Sequence, residues 1–286
     1  MIVITGATGA LNGATVEHLL KRLPAEEIGV SVRDTTKAQH FADRGVRVRQ
    51  GSYEDPGALR HSFEGAEQVL LVSSNDPHAD AVALHRVGID AAVAAGARRI
   101  LYTSHQGAGA GSPFHPARDH AATEQLLAES GLAWTALRNG FYAHSLGWLL
   151  GPWQQTGTIT APADGPVSWT DREDAAEAAA VVLAGDQAFD GPVTLTARQA
   201  VTFDDVAALA SEKTGCDITR ITLDDDEWIA AKISAGTPEA MARMTLTTFQ
   251  AAREGRFAGV DPLLAELLRR EPRSVADQLA ADIDAG

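Results

Sequence analysis

Gly6-Ala7-Thr8-Gly9-Ala10-Leu11-Asn12-Gly13 directly follows the apolar run Ile2-Val3-Ile4-Thr5 and leads into a helical pattern from Ala14 to Leu23. A turn this tight between strand and helix needs residues without a β-carbon obstruction. The backbone can then approach a pyrophosphate while the N–H groups at the helix start point at it. Gly6 and Gly9 suit those roles. The spacing is Gly-x-x-Gly rather than the Gly-x-Gly-x-x-Gly of many dehydrogenases, so its weight comes from its position behind the first strand. A glycine-rich turn with no ligand is the competing reading.

The end of the second apolar run bears on which dinucleotide would bind. Val30-Ser31-Val32 ends on Arg33, where NAD-specific folds carry an acid for the ribose hydroxyls. A guanidinium can fork onto a 2′-phosphate and stack beside adenine, and Lys37 adds charge one helical turn further on. The expected cofactor is NADP(H). Two alternatives stay open: Asp34 holds a ribose and the cofactor is NAD(H), or Asp34 caps the helix starting near Thr35 while Arg33 is an exposed strand end.

The elements that must position these residues show in the rhythm of the chain. Short β-branched runs at Ile2–Thr5, Ile28–Val32, Val46–Gln50, Gln68–Ser73, Arg99–Thr103 and Trp134–Leu137 alternate with longer amphipathic stretches. Such alternation predicts an α/β fold, a doubly wound parallel sheet with helices on both faces. Beyond about Asn139 the rhythm breaks at Gly151-Pro152, Ala161-Pro162 and Gly165-Pro166. Helices are expected over Asp171–Leu183, Phe203–Thr214 and Asp226–Ile233, and Gly191–Thr196 is expected to return a strand to the main sheet. The division expected is 1–140 for the dinucleotide-binding part and 141–286 for a smaller, interleaved substrate-binding region. Ligands of such sheets sit beyond the carboxyl ends of the strands, which brings Ser73, Ser74 and Asn75 after the fourth strand and Thr103-Ser104 after the fifth into the same crevice.

Composition limits the possible partners. Twenty-four Lys and Arg against thirty-eight Asp and Glu give a formal charge of −14. That balance opposes a phosphate backbone, so no nucleic-acid contact is expected. Cys216 is the single cysteine, no Cys/His spacing resembles a metal site, and no apolar run approaches the roughly 20 residues of a membrane span. Strand-like sequence begins at Ile2, leaving no room for a secretory signal, and a cytoplasmic protein is expected. Oligomeric state is not readable.

Thr5-Gly6-Ala7-Thr8-Gly9, Val32-Arg33-Asp34, His120-Ala121-Ala122-Thr123-Glu124, Leu137-Arg138-Asn139-Gly140-Phe141-Tyr142 and Gly255-Arg256-Phe257 together resemble the NmrA-like atypical short-chain dehydrogenases. Their NAD(P)H:quinone oxidoreductase and triphenylmethane reductase branch is the nearest pattern, over nearly the whole chain. The resemblance implies that Gly6, Ala7, Thr8, Gly9, Ala10 and Leu11 hold the pyrophosphate and Arg33 the adenosine phosphate. It also implies that Ser73, Ser74 and Asn75 border the ribose and nicotinamide. Leu137, Arg138, Asn139, Gly140, Phe141 and Tyr142 would then close over the nicotinamide end. The chain departs from the family at Asn12, where glycine is common, so close helix packing there is expected to be altered.

Ordinary short-chain dehydrogenases carry a Tyr-x-x-x-Lys pair to protonate a carbonyl. On the stretch after the fifth strand, Pro116 and His120 have that spacing and cannot replace it. The remaining chemistry is hydride delivery to an acceptor that tolerates the resulting charge, such as a quinone or a cationic dye, with positioning supplying much of the rate. Phe141, Tyr142, Trp148 and Trp169 are candidate walls for a flat conjugated substrate, or ordinary core. Tyr142 and His120 are the candidate catalytic groups. His120 and Glu124 lie one turn apart and could form a proton relay, or Glu124 could anchor a neighbouring loop. His105 and His115 are weaker candidates on a stretch, Gln106 to Ser112, that reads as a mobile loop. A redox sensor that binds the cofactor without turnover is the alternative to a reductase. A sugar epimerase is disfavoured by the missing pair.

Overall fold

The computed structural model describes residues 1–74, 76 and 78–285. Nine strands are present among them: β1 (Ile2–Thr5), β2 (Ile28–Val32), β3 (Arg47–Gln50), β4 (Gln68–Leu71), β5 (Arg99–His105), β6 (Ala133–Asn139), β7 (Thr158–Pro162), β8 (Gly191–Leu195) and β9 (Thr219–Leu223). The helices of the first half are α1 (Ala10–Leu19), α2 (Gln39–Ala42), α3 (Pro56–Phe63), α4 (Ala81–Ala94) and α5 (His115–Glu129). Those of the second half are α6 (Leu146–Leu149), α7 (Trp153–Thr156), α8 (Arg172–Ala184), α9 (Phe203–Thr214), α10 (Asp225–Ser234), α11 (Glu239–Arg253), α12 (Leu263–Leu268) and α13 (Val275–Ala285).

Seven strands form one parallel sheet in the order β3-β2-β1-β4-β5-β6-β8. The chain runs outward from β1 to β3 and then returns to the other side of β1 as β4. The strand order reverses between β1 and β4, and the crevice at their carboxyl ends is where such sheets take ligands. Alternation along β1 divides the core. Ile2 and Ile4 join the cluster with Val16, Leu19 and Leu183, while Val3 joins Leu59, Phe63 and Ile89 on the opposite face. The chain beyond residue 140 contributes directly to this sheet: β8 pairs with β6, and α8 packs against α1, with His18 Nε2 2.7 Å from Glu173 Oε1.

Three strand ends differ from the sequence expectation. β4 stops at Leu71, before Ser73, because Val72 N–H donates to Thr5 Oγ1 and Ser73 N–H to Thr103 Oγ1, both at 2.8 Å. Side-chain acceptors thereby replace ladder carbonyls where the crevice opens. β5 and β6 extend beyond Thr103 and Leu137, their register running to His105 opposite Asn139. His105 therefore belongs to a strand and His115 to the first turn of α5; neither lies on a loop.

The remaining core gathers Trp153, Trp169, Phe203, Trp228, Phe249 and Phe257 around the separate parallel pair β7-β9. The sequence expectation lacked both strands of this pair. The pattern of β9 is mostly exposed and Thr-rich, without a buried run to mark it.

Candidate cofactor and acceptor site

Gly6 leaves β1 with φ +63°, and a β-carbon there would stand 2.7 Å from Val72 Cγ1. Both the left-handed backbone and the approach of the β4 end demand glycine. Gly9 N–H bonds back to Gly6 O at 2.9 Å, closing the turn, and Gly9 is the N-cap of α1 with no side chain to cap it. The first N–H groups of α1 thus remain available to an anion. Helix α1 begins at Ala10, not Ala14, which brings Ala10 and Leu11 into that first turn. Asn12 is 1% exposed, and its Nδ2 donates to Thr5 O at 2.8 Å while Oδ1 has no partner. The departure from glycine therefore ties α1 to the end of β1. This cradle fits a dinucleotide pyrophosphate.

At the adenosine end, Arg33 and Lys37 are exposed and form no salt bridge among the described residues. Asp34 caps the short helix from Thr35, accepting from Thr36 N–H at 3.0 Å and Thr36 Oγ1 at 2.6 Å. The Thr36 hydroxyl holds its carboxyl below the usual range. Asp34 thus acts as a cap through Oδ1, and the Arg33 guanidinium beside it is exposed.

Several groups beyond the β4 end were not singled out in the sequence. Tyr53 OH donates to Val72 O at 2.7 Å and lies 3.2 Å from Thr5 Oγ1, with burial pushing its pKa upward. Ser74 N–H donates to His85 Nε2 at 2.8 Å, and His85 Nδ1 lies 2.8 Å from Thr123 Oγ1. Of the expected group, Ser73 and Thr103 meet at the ends of β4 and β5, whereas Ser74 is held by His85 and the Ser104 hydroxyl turns to Glu124. Asn75, expected beside them, lies outside the described residues.

Glu124 does not pair with His120. Its carboxylate accepts from Ser104 Oγ at 2.6 Å, from Arg138 Nε at 2.9 Å and from Arg138 Nη2 at 2.5 Å, so it clamps β5 to β6. His120 Nδ1 instead lies 2.8 Å from Tyr102 OH. The two-residue relay is therefore absent. Glu124→Gln is expected to lower stability by about 1–2 kcal/mol, because one buried acceptor becomes a donor against Arg138. Urea unfolding of both forms measures this loss.

After Leu137, which is fully buried, the Arg138 side chain is engaged by Glu124 and that of Asn139 by Tyr142, Nδ2 donating to the phenol oxygen at 3.1 Å. Any contact of this segment with cofactor is then left to its backbone and to Tyr142. Burial pushes the Tyr142 phenol up to about 12, so it keeps its proton at neutral pH.

Phe141 stands among aromatic rings from four segments: Phe114 at 5.9 Å, Phe257 at 5.5 Å, His105 at 5.5 Å and Trp169 at 5.3 Å between centroids. Trp169 is 2% exposed, and its indole packs edge-on against the Phe141 ring. Trp148 is 54% exposed and outside this group. Sequence spacing gave no signal for Phe114 or Phe257, which meet Phe141 only through the fold.

Desolvated imidazoles are expected to make the region acid-sensitive. Burial pulls both His85 and His105 down from the ordinary 6.5 to about 4. The unfolded chain binds these protons first, so their contribution to stability is complete above pH 6.5, is lost as pH falls toward 4, and levels off below it. The urea midpoint is expected to fall across that window, and less so in His85→Asn.

Two cavities lie elsewhere, one of about 320 Å³ beside Asp171, Arg273 and Asp277 and one of about 230 Å³ beside Arg98, Thr135 and Phe189. The second is at the amino ends of the strands, opposite the crevice. Among the described residues, no helix is long and apolar enough to cross a membrane.

The model of the NmrA-like family matches residues 1–274. Quinone oxidoreductase 2 of Escherichia coli (strain K12) is 35% identical over 282 residues, 98% of each chain. The crystal structure of the NADPH-dependent quinone oxidoreductase from Escherichia coli complexed with NADPH superposes with a TM-score of 0.93 at 33% identity, covering 99% of this chain and 100% of that one. The Citrobacter sp. triphenylmethane reductase complexed with NADP(H) gives 0.88 at 31% identity, with 99% of each chain covered.

Proposed function

The chain belongs to the NmrA-like family, and from that premise we propose that it is an NADPH-dependent reductase that delivers hydride to flat conjugated acceptors, quinones or cationic dyes. The observation that carries the reading is the Gly6 turn, where the helix start has no side-chain cap and the adjacent strand ends on Arg33, which forms no salt bridge among the described residues. Bound NADPH supplies the hydride. The protein's own residues bind, orient and exclude water.

In this reading Gly6 to Leu11 hold the pyrophosphate and Arg33, with Lys37, the 2′-phosphate. Ser73, Ser74, Thr103 and Ser104 border the ribose and nicotinamide, with the 137–140 segment closing that end. Phe141 and Tyr142 form the acceptor wall, with Trp169 behind Phe141. Residues 1–140 make the cofactor part and 141–286 the part that shapes the acceptor space. No carbonyl acid of the Tyr-x-x-x-Lys kind is needed, because a quinone spreads the added charge over its ring and a triarylmethyl cation is neutralised by it. The exposed Cys216 thiol is compatible with a reducing cytoplasm.

Steady-state oxidation of NADPH by the purified protein, with a panel of quinones and cationic dyes, tests the proposal. Turnover of at least one acceptor class is expected. Tight NADPH binding with no turnover across the panel overturns it in favour of a cofactor-binding sensor.

A further inference from the structure

Behind the carboxyl ends of β4 and β5, side chains from β5, α4 and α5 form a hydrogen-bonded series whose proton positions can be followed. Ser74 N–H donates to His85 Nε2 at 2.8 Å, so that nitrogen is the acceptor and the proton of the neutral ring is on Nδ1. Thr123 Oγ1 donates to Asp119 O at 2.8 Å and therefore accepts from His85 Nδ1–H, also at 2.8 Å. The same Nδ1–H faces the Tyr102 oxygen at 3.5 Å, leaving the Tyr102 proton to point elsewhere. His120 Nδ1 lies 2.8 Å from the phenol oxygen, and we assign it as the acceptor. With Nδ1 accepting, the proton of a neutral His120 sits on Nε2.

His120 Nε2 has no hydrogen-bond partner among the described residues, and the residue is partly rather than fully buried. The ring lies 6.1 Å from that of His105, which touches Phe114, Phe141 and Phe257. His120 thus stands between the strand-end crevice and the aromatic group. The titratable groups around it are Tyr102 and His105 on β5, His85 on α4, and Asp119 and Glu124 on its own helix. Glu124 is committed to Arg138. Burial, with the neighbouring imidazoles, holds His120 well below the ordinary histidine range and therefore neutral at pH 7.

We infer that His120 is a catalytic residue that acts as a neutral hydrogen-bond donor: its Nε2–H, with the tautomer fixed by Tyr102, stabilises the oxygen of a quinone acceptor as that oxygen gains charge. The inference rests on the reductase reading above. Hydride brings one hydrogen and two electrons, converting the quinone to the hydroquinone monoanion as NADPH becomes NADP⁺, and a proton from water completes the hydroquinone. His120 keeps its proton throughout, since a neutral imidazole is far too weak an acid to release it. Tyr102 is a positioning residue. A triarylmethyl cation presents no such oxygen, so the contribution distinguishes the two acceptor classes.

The test compares kcat for a quinone with kcat for a cationic triarylmethane dye in the full-length protein. In His120→Leu the quinone-to-dye ratio is expected to fall roughly 100- to 1000-fold, the scale of losing one oxyanion donor. His120→Gln, which keeps an N–H, retains part of it, and Tyr102→Phe lowers the ratio less than His120→Leu does. For the quinone alone, the loss falls on kcat and not on NADPH affinity. Independently of turnover, ¹⁵N spectra of the unaltered protein should show the His120 proton on Nε2, and Tyr102→Phe should mix the tautomers. An unchanged ratio in folded His120→Leu, a loss confined to NADPH affinity, or a proton on Nδ1 overturns the inference. Failure of the unaltered protein to turn over any acceptor overturns the reductase reading itself, and the inference with it.

Discussion

Arg33→Ala is expected to weaken NADPH binding roughly 30- to 100-fold, the equivalent of about 2–3 kcal/mol, while leaving NADH affinity nearly unchanged. The guanidinium is exposed and has no carboxylate partner among the described residues, so its hydrogen-bonding capacity is available to a 2′-phosphate. Asp34, the acid that could have favoured a ribose instead, caps the following turn, its Oδ1 accepting from both Thr36 N–H and Thr36 Oγ1. Charge-assisted, forked contacts of this kind discriminate sharply because the competing cofactor lacks the phosphate altogether. Fluorescence titration with both cofactors measures the two constants. Equal loss for NADH and NADPH, or no loss for either, would assign Arg33 to another role.

Gly140→Ala carries the largest expected stability effect, about 3–5 kcal/mol, from overpacking together with broken buried hydrogen bonds. A β-carbon at Gly140 would overlap Thr170 Oγ1 and stand 2.8 Å from Ser168 O. Neither neighbour can withdraw freely. Thr170 Oγ1 donates to Ser168 O at 2.9 Å and accepts from Ala197 N–H at 3.0 Å, and both residues are fully buried. The substitution would also disturb Gly140 N–H, which donates to Leu195 O at 2.9 Å. Because Gly140 joins β6 to Phe141 and Tyr142, partial folding should be accompanied by loss of quinone turnover. Chemical denaturation gives the stability change; a wild-type midpoint would mean that the segment can relax at little cost.

What could be read from sequence alone was whatever chemistry and structure share one short stretch. Ile2 to Gly9 is a buried strand, a tight turn and a helix start in consecutive residues, so local pattern and ligand chemistry coincide there. Val32-Arg33 is similar, since a strand end and its charge are adjacent. The network of Tyr53, His85, Tyr102 and Thr123 was not legible. Each is one polar residue on an otherwise ordinary strand, helix or loop; Tyr53 reaches Thr5 across 48 positions and His85 reaches Thr123 across 38. His120 and Glu124 show the limit of helical spacing. Residues one turn apart can share a face, yet the strands beneath offered each a better partner, Tyr102 for one and Arg138 for the other. Trp169 was ambiguous for a related reason, because a large aromatic residue looks alike in a wall and in the layer that supports it.

The central claim is that this crevice transfers hydride from NADPH to a conjugated acceptor, and a single-turnover experiment addresses it directly. The protein, loaded with NADPH or with NADPH deuterated at the transferred position, is mixed anaerobically with excess quinone while loss of the reduced-nicotinamide absorbance is followed. One NADPH consumed per quinone reduced, a slower deuterated reaction, and a weaker response with NADH at the same low concentration are the results expected. Binding of NADPH with no loss of its absorbance before any acceptor, or a consistent preference for NADH, would contradict the account.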